Sequence, residues 1–86
     1  MSKLTFAERA WEHYLYWQAN DKNTLKRVNL LLKDIARNGN DGIGKPEPLR
    51  YRDGWSRRID DVNRLVYKIK DDDSIEILQC KGHYDD

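Results

Sequence analysis

Mostly apolar residues recur at helical spacing near the start of the chain and predict a first helix over residues 7–19. The preceding residues, 3–6, can form a short strand. Thr5 and Glu8 have the spacing of a capping box, which would satisfy backbone N–H groups at the start of the helix. The positions that recur in this helix are Ala7, Trp11, Tyr14, Leu15 and Gln18.

A second amphipathic stretch follows the polar pair Asn20-Asp21, which separates the two helices. Asn38-Gly39 predicts the end of this second helix, because glycine readily adopts the left-handed conformation found after a helix. The two helices are expected to form a hairpin. The apolar stripe of the second helix consists of Leu25, Val28, Leu32 and Ile35, with Leu31 and Ala36 beside it.

The rest of the chain has the pattern of strands joined by turns. Residues 40–48 are rich in turn-forming residues and predict a shaped loop, and Asp53-Gly54 is typical of a tight hairpin turn. The predicted strands are residues 49–52, 55–59, 64–70 and 74–81. The order is therefore β-α-α-β-β-β-β, which predicts one α+β domain over residues 1–86, with a two-helix hairpin packed on a mostly antiparallel sheet.

Strand alternation assigns side chains to the two faces of this sheet. In the strand 64–70, Leu65, Tyr67 and Ile69 face the core, so Arg64 lies on the less buried face. If Trp55 and Ile59 also face the core, Arg57 lies with them, near the apolar edge. The same alternation points Ser56 and Arg58 outward.

Arg58 and Arg64 could then approach each other across neighbouring strands and clamp a phosphate. Two uncompensated guanidinium groups repel each other, which favours a bound anion. The alternative is that Asp60 and Asp61 neutralise them. The charge distribution is consistent with an anion site, because residues 44–68 carry seven Lys and Arg against four Asp and Glu in a chain whose net charge is only +1.

Composition limits the classes of protein to consider. An 86-residue chain with 38% hydrophobic and 36% charged residues allows one compact core and a densely ionic surface. The single Cys80 cannot form an internal disulfide, and no apolar run resembles a signal peptide or a membrane span. A cytoplasmic protein without a membrane role is expected.

Glu47 lies between two prolines in the segment Lys45-Pro46-Glu47-Pro48. A residue before proline avoids the helical region, and each proline fixes its own φ, so Glu47 is held in an extended, stiff segment. With Lys45 and Arg50 nearby, such a carboxylate could serve as a general base. The alternative is a surface glutamate in a rigid turn.

His83 and Tyr84 follow the last predicted strand. The acidic end of the chain, Asp85-Asp86, favours the imidazolium form that a general acid needs, and Tyr84 could stack on a base or bind a phosphate. The alternative is a mobile surface histidine. His13 lies on a helix flank with no candidate partner and is assigned no role.

Cleavage of RNA through its own 2′-hydroxyl requires a base, cations that stabilise the phosphorane, and an acid for the 5′-oxygen. Glu47, the arginine pair and His83 supply that set. The spacing of a metal site and a phosphate-binding glycine loop before a helix are both absent from the sequence. The residues predict a ribonuclease that uses neither a metal nor another cofactor.

At these residues the sequence resembles the YoeB/Txe family of toxins, within the RelE-like superfamily of messenger RNA interferases. The matching segments are WEHYLYWQ at 11–18, GIGKPEPL at 42–49, WSRRI at 55–59, NRLVY at 63–67 and HY at 83–84. The resemblance implies an α+β toxin that cleaves translated messenger RNA in the ribosomal A site and is neutralised by a cognate YefM-like antitoxin. The expected partners are therefore the antitoxin, the ribosome and its messenger RNA.

By position, the resemblance implies that Glu47 is the general base, His83 the general acid and Arg64 the cation that stabilises the transition state. It places Arg58 and Tyr84 at supporting positions of the active site. Two further cations are expected to contact phosphate, Lys45 and Arg50, the latter standing where the family commonly has Lys.

Several positions depart from the family pattern. The RYRDGW hairpin is short, Asn63 stands where a histidine is common, and Gly82 replaces a bulkier residue and is expected to loosen His83. These departures, with Asp85-Asp86, support an alternative: a non-catalytic module that binds RNA or antitoxin. A third hypothesis is a homodimer formed through the helices or a sheet edge, for which Trp11, Trp17 and Trp55 could serve either as interface or as core.

Overall fold

The computed structural model describes residues 3–83, which form two helices and a five-stranded sheet. The strands lie in the order β1-β5-β4-β3-β2, and the one parallel pair is β1 with β5. The predicted β-α-α-β-β-β-β order and the α+β class are confirmed. The elements are β1 Leu4–Phe6, α1 Glu8–Asn20, α2 Lys22–Asn38, β2 Glu47–Pro48, β3 Trp55–Arg58, β4 Arg64–Ile69 and β5 Ile75–Gln79.

The two helices are separated by Asp21, which ends α1 and caps α2. The Asp21 carboxylate accepts hydrogen bonds from the backbone N–H of Thr24 at 3.1 Å and from its hydroxyl at 2.8 Å. The capping box expected at Thr5 is wrong, because α1 begins after Ala7 without a side-chain cap. The Thr5 hydroxyl donates instead to the carbonyl of Ile75 at 3.4 Å, since β1 pairs with β5.

The core lies between the helices and one face of the sheet. The apolar stripe of α2 is buried at Val28, Leu31, Leu32 and Ile35, whereas Ala36 is exposed. From the sheet, Leu65, Tyr67, Ile75 and Ile77 are each no more than 2% exposed. Within residues 3–83, no helix is long and apolar enough to cross a membrane.

The three tryptophans have different environments. Trp17 is 6% exposed and belongs to the core, and Trp55 is partly buried and packs against that core. Trp11 is 47% exposed and stacks on Tyr14 with ring centroids 5.9 Å apart. Aromatic packing thus extends from the core to the outer surface of α1.

The connection between β2 and β3 differs from the predicted hairpin. The expected strand over residues 49–52 and the two-residue turn at Asp53-Gly54 are both wrong. The strand is Glu47–Pro48, and a six-residue loop, 49–54, leads to β3, with the Leu49 N–H donating to the Gly54 carbonyl at 2.9 Å. Gly54 serves a close approach to β4, because a Cβ there would lie 3.0 Å from the carbonyl oxygen of Tyr67.

Candidate active site

The predicted base and the predicted cation lie on the sheet face opposite the helices. Glu47 pairs with Ser56, Ser56 pairs with Val66, and Arg58 pairs with Arg64, so these side chains share one face. The Nη2 atom of Arg64 lies 3.8 Å from Oε2 of Glu47. The predicted approach of Arg58 and Arg64 across neighbouring strands is confirmed by this register.

Ser56 holds the Arg64 guanidinium in place. Its hydroxyl oxygen accepts a hydrogen bond from Nη2 of Arg64 at 2.9 Å, and the residue is only 6% exposed. The same guanidinium therefore contacts a buried hydroxyl and an exposed carboxylate, that of Glu47. Strand alternation placed Ser56 on the correct face, but sequence reasoning gave it no role. A small polar residue two positions from Arg58 was the available signal.

Asp60 does not neutralise the two arginines. Its carboxylate accepts backbone hydrogen bonds from Val62 at 2.8 Å and Asn63 at 2.7 Å, and two more from the Asn63 side-chain amide. Burial alone would raise the pKa of Asp60, but these hydrogen bonds outweigh it and lower that pKa. Within residues 3–83, no ion pair links Asp60 or Asp61 to Arg58 or Arg64.

A buried arginine fixes the loop that leads to Glu47. Arg57 faces the core, as strand alternation predicted, but it is fully buried and does not lie at the apolar edge. Its guanidinium binds the Asp34 carboxylate and donates to the carbonyls of Gly39 at 2.5 Å and Ile43 at 3.0 Å. Its Nε donates to the hydroxyl of Tyr67 at 3.3 Å. The end of α2 and the loop after it are thus joined to the middle of β3.

The electrostatics of this pair follow from its burial. Burial disfavours the charged form of Arg57, but the hydrogen bonds with Tyr67 and Asp34 outweigh it and raise the arginine pKa. The hydrogen bond from Arg57 lowers the pKa of Asp34, assisted by bonds from the Ile43 N–H and Asn38 and opposed by burial. An aspartate on α2 and an arginine at a core-facing strand position were the sequence signals for the pair.

The last part of the loop delivers Glu47 to the edge of the sheet. Gly44 has φ +80°, and its carbonyl accepts the N–H of Arg58 at 2.7 Å. A Cβ at Gly44 would lie 2.8 Å from Cδ2 of Leu31, so the loop passes directly over the core. Glu47 then lies in extended backbone, and its side chain is 67% exposed.

The other predicted phosphate contacts lie around this site without joining it. Lys45 precedes β2 and Arg50 lies in the loop 49–54, and both are exposed. Among the residues the structure describes, no hydrogen bond or ion pair connects either cation to Glu47 or Arg64. Tyr84 and the pair Asp85-Asp86 lie outside the described residues.

His83 follows β5, and the residue before it, Gly82, bonds to the backbone of Arg64. The backbone N–H of Arg64 donates to the Gly82 carbonyl at 3.0 Å, and the Gly82 N–H donates to Oδ1 of Asn63 at 2.7 Å. Both backbone groups of Gly82 are therefore hydrogen-bonded. The expected loosening of His83 by this glycine stays a prediction. The His83 side chain is exposed at the end of the described chain.

His13 has a partner that sequence reasoning missed. Its Nδ1 accepts the backbone N–H of Cys80 at 3.2 Å, and Nε1 of Trp17 donates to the Cys80 carbonyl at 2.8 Å. Burial and the nearby Arg9 and Lys81 lower the pKa of His13, which favours the neutral ring that can accept this bond. Helix α1 thus holds the end of β5 just before the segment that carries His83.

The combined geometry suits recognition of a phosphodiester. An exposed carboxylate lies beside a guanidinium whose position is fixed by Ser56, and a second guanidinium lies opposite on the neighbouring strand. A carboxylate can accept a proton, and guanidinium groups can bind the phosphate oxygens. Within residues 3–83, no group of three or more His, Cys, Asp or Glu side chains is arranged to hold a metal ion.

Comparisons with known proteins agree on one family. The sequence profile of a family described as a YoeB-like toxin of bacterial type II toxin–antitoxin systems matches residues 6–84. The chain is 54% identical to the toxin YoeB of Synechocystis, over 95% of this chain and 96% of that protein. Among solved structures, a YoeB–YefM complex from Staphylococcus aureus matches with a TM-score of 0.88 and 46% identity, covering 98% of this chain and 99% of the other. A YoeB dimer from the same organism matches with a TM-score of 0.88 and 49% identity, covering 96% and 98%.

Proposed function

Because the chain belongs to the family of YoeB-like toxins of bacterial type II toxin–antitoxin systems, we propose that it is an endoribonuclease that cleaves messenger RNA in the ribosomal A site. Cleavage of translated messages would halt protein synthesis. The proposed substrate is held by translating ribosomes, so the site of action is the cytoplasm.

In the proposed reaction the RNA supplies its own nucleophile. The Glu47 carboxylate takes the proton of a 2′-hydroxyl as that oxygen forms a bond to the adjacent phosphorus. The bond from phosphorus to the 5′-oxygen breaks, and the leaving oxygen takes a proton from the His83 imidazolium. The products are a 2′,3′-cyclic phosphate and a new 5′-hydroxyl, with one proton passing from His83 to the leaving group and one from the nucleophile to Glu47.

The proposed role of Arg64 is to bind the phosphorane, in which negative charge on the equatorial oxygens increases. Arg58 assists from the neighbouring strand, Tyr84 contacts the substrate beyond His83, and Lys45 and Arg50 contact flanking phosphates. Such cations lose little energy to reorganisation when they are held in position before the reaction. The hydrogen bond of Arg64 to Ser56 supplies that restraint.

The observation that carries the proposal is the contact between the Arg64 guanidinium and the Glu47 carboxylate at 3.8 Å. It brings together, from β2 and β4, a proton acceptor and a phosphate-binding cation on the exposed sheet face. A base that activates the 2′-hydroxyl must lie within reach of the scissile phosphate, which the cation would hold.

We infer two protein partners from relatives. A Staphylococcus aureus relative was solved as a YoeB–YefM complex and another as a YoeB dimer. A cognate YefM-like antitoxin is therefore proposed to neutralise this chain, and a homodimer is proposed for the protein alone. An acidic antitoxin segment would suit the cationic face formed by Arg58 and Arg64.

The decisive experiment is a cleavage assay on translating ribosomes programmed with a defined message and mapped by primer extension. The wild-type protein should cut the message in the A site and leave the same RNA intact when it is free in solution. Intact message on active ribosomes, in the absence of antitoxin, would contradict the proposal and favour a non-catalytic binding module.

Two conservative variants test the proposed roles. Glu47→Gln and His83→Gln keep the size of each side chain but remove the proton acceptor or donor, so each should slow cleavage about 100-fold or more. Ribosome binding should change less than 3-fold, because the arginines and Lys45 remain. Glu76→Gln is the matched control, since it removes only a partly exposed pairing with Lys70 at the start of β5, the end of that strand farther from His83. Normal cleavage by both site variants would refute the assignment of roles.

A further inference from the structure

The chain after β5 turns back toward β4 and is held there by side chains that the proposed reaction does not use. The Gly82 carbonyl accepts the N–H of Arg64 at 3.0 Å, so the residue before His83 lies against the backbone of the predicted phosphate-binding residue. The His83 side chain itself is exposed, and packing does not restrain it. Its position therefore depends on what fixes the backbone around it.

Gln79 is the first of these restraints. Its Nε2 donates to the carbonyls of Gly82 at 3.3 Å and His83 at 3.0 Å. Its Oε1 accepts a hydrogen bond from Nη2 of Arg9 at 3.3 Å, which sets the amide orientation so that the nitrogen faces the chain end. The residue is only 3% exposed, and a buried amide is costly to leave without partners.

Asn63 is the second restraint. Its Oδ1 accepts the N–H of Gly82 at 2.7 Å, while its Nδ2 donates to both carboxylate oxygens of Asp60 at 3.1 and 3.0 Å. An ionised Asp60 carboxylate accepts hydrogen bonds but donates none. It therefore fixes the Asn63 amide with the amide nitrogen toward Asp60 and the amide oxygen toward Gly82. The turn before β4 thereby holds the same residue that Gln79 holds from β5.

Gly82 suits this arrangement for a backbone reason. Its φ of +86° lies in the left-handed region, whereas a Cβ at this position would meet nothing within 4 Å. Glycine is favoured by conformation, not by lack of space. Asn63 and Gly82, two departures from the family pattern, are thus direct hydrogen-bonding partners of each other.

We propose that Gln79 and Asn63 are positioning residues that fix the backbone on both sides of Gly82 and so hold His83 beside Arg64. The inference rests on the proposed function, because it concerns the general acid of that reaction. Both residues act through the backbone of Gly82 and His83, which they hold by hydrogen bonds, and not by binding the RNA. A mobile acid spends only part of its time in reach of the leaving oxygen, so loss of the restraint lowers the rate of the chemical step with little effect on substrate binding.

The principal test compares Gln79→Glu and Gln79→Met with wild type in the ribosome assay. Gln79→Glu keeps the acceptor for Arg9 but places a carboxylate oxygen against two carbonyls, and Gln79→Met removes both functions at similar length. Each should lower kcat about 10-fold and change KM less than 2-fold. Glu76→Gln on the same strand should change neither.

A double-mutant comparison separates positioning from a general structural role. If Gln79 acts through His83, Gln79→Met should slow the residual cleavage by His83→Gln less than 2-fold, because there is no acid left to position. Equal fold-losses in both backgrounds would overturn the inference. Asn63→Ala, made in the same two backgrounds, gives a second and independent measurement.

Amide hydrogen exchange provides a readout that does not require cleavage. The Gly82 amide should exchange slowly in the wild-type protein and at least about 10-fold faster in Asn63→Ala, with the core amides of β4 and β5 unchanged. Equal exchange of Gly82 in wild type and variant would overturn the inference. If wild type fails to cleave, the proposed function fails, and this measurement still decides whether Asn63 holds the chain end.

Discussion

The strongest perturbation that the structure predicts for stability is Asp34→Asn. The Arg57 guanidinium is fully buried, and Asp34 is its only carboxylate partner within residues 3–83. The substitution keeps the shape of the side chain and an oxygen that can accept the N–H of Ile43. It removes the negative charge that compensates a buried cation, which arginine cannot lose by deprotonation.

The magnitude follows from what remains around Arg57. Removing one partner of a buried ion pair costs about 3–5 kcal/mol. Here the Arg57 guanidinium keeps its hydrogen bonds to the carbonyls of Gly39 and Ile43 and to the hydroxyl of Tyr67. The expected loss therefore lies at the lower end of that range, about 3 kcal/mol. For a domain of this size that corresponds to a fall in Tm on the order of 15 °C.

The pH dependence of the free energy of unfolding should also change in Asp34→Asn. The pKa of Asp34 is lower in the folded protein than its ordinary value of 3.8, so the carboxylate stabilises the fold above that value. This contribution is lost as pH falls below 3.8 and through the folded pKa. The difference in stability between wild type and Asp34→Asn should therefore shrink as the solution is acidified from pH 6 to pH 3.

The assay is urea unfolding followed by circular dichroism, with thermal unfolding at several pH values. Glu76→Gln serves as control, because its pairing with Lys70 at 3.9 Å is partly exposed and its loss should change stability by less than about 0.5 kcal/mol. An Asp34→Asn protein within about 0.5 kcal/mol of wild type at pH 7 would refute the reasoning, since it would mean that the Arg57 charge needs no carboxylate.

Three further changes test other parts of the structure. Ser56→Ala should lower kcat/KM on ribosomes about 5-fold, because Arg64 loses a hydrogen bond worth about 1 kcal/mol, and unchanged kinetics would contradict the role given to Ser56. Gly44→Ala should reduce the free energy of unfolding by about 2 kcal/mol, because the added methyl group would contact Leu31 and because alanine disfavours the φ of +80° at this position. No change in urea unfolding would show that the loop can move. Burial raises the pKa of Cys80 to about 12, so iodoacetamide at pH 8 should label this thiol only on unfolding, and rapid labelling of the native protein would count against its burial.

Local sequence patterns predicted the elements whose formation depends on their own residues. The apolar stripe of α2 and the stop at Gly39 correspond to a helix that ends at Asn38. Alternation in β4 identified Leu65 and Tyr67 as core residues and placed Arg64 on the opposite face. These inferences succeed because a helix or a strand repeats its geometry along the chain, so spacing alone assigns the face.

The same reasoning failed where the conformation of a residue depends on contacts with a distant part of the chain. Asp53-Gly54 has the composition of a tight turn, yet Gly54 is there because β4 passes close to it. Thr5 has the spacing of a helix cap, yet its hydroxyl bonds to Ile75 in a neighbouring strand. In both cases the tertiary contact determines the conformation that the local motif would otherwise adopt.

The sequence by itself determined the class of fold, the order of the elements and the placement of Arg58 and Arg64 on one face, because these follow from periodicity and strand parity. Tertiary structure alone decided that Arg57 is a buried clamp, that Glu47 lies 3.8 Å from Arg64, and that Gly82 is anchored by Asn63. The physical reason is that hydrogen bonds and ion pairs are short-range and directional. Which residues form these hydrogen bonds and ion pairs depends on which distant strands pair with each other, and residue spacing along the chain does not determine that pairing.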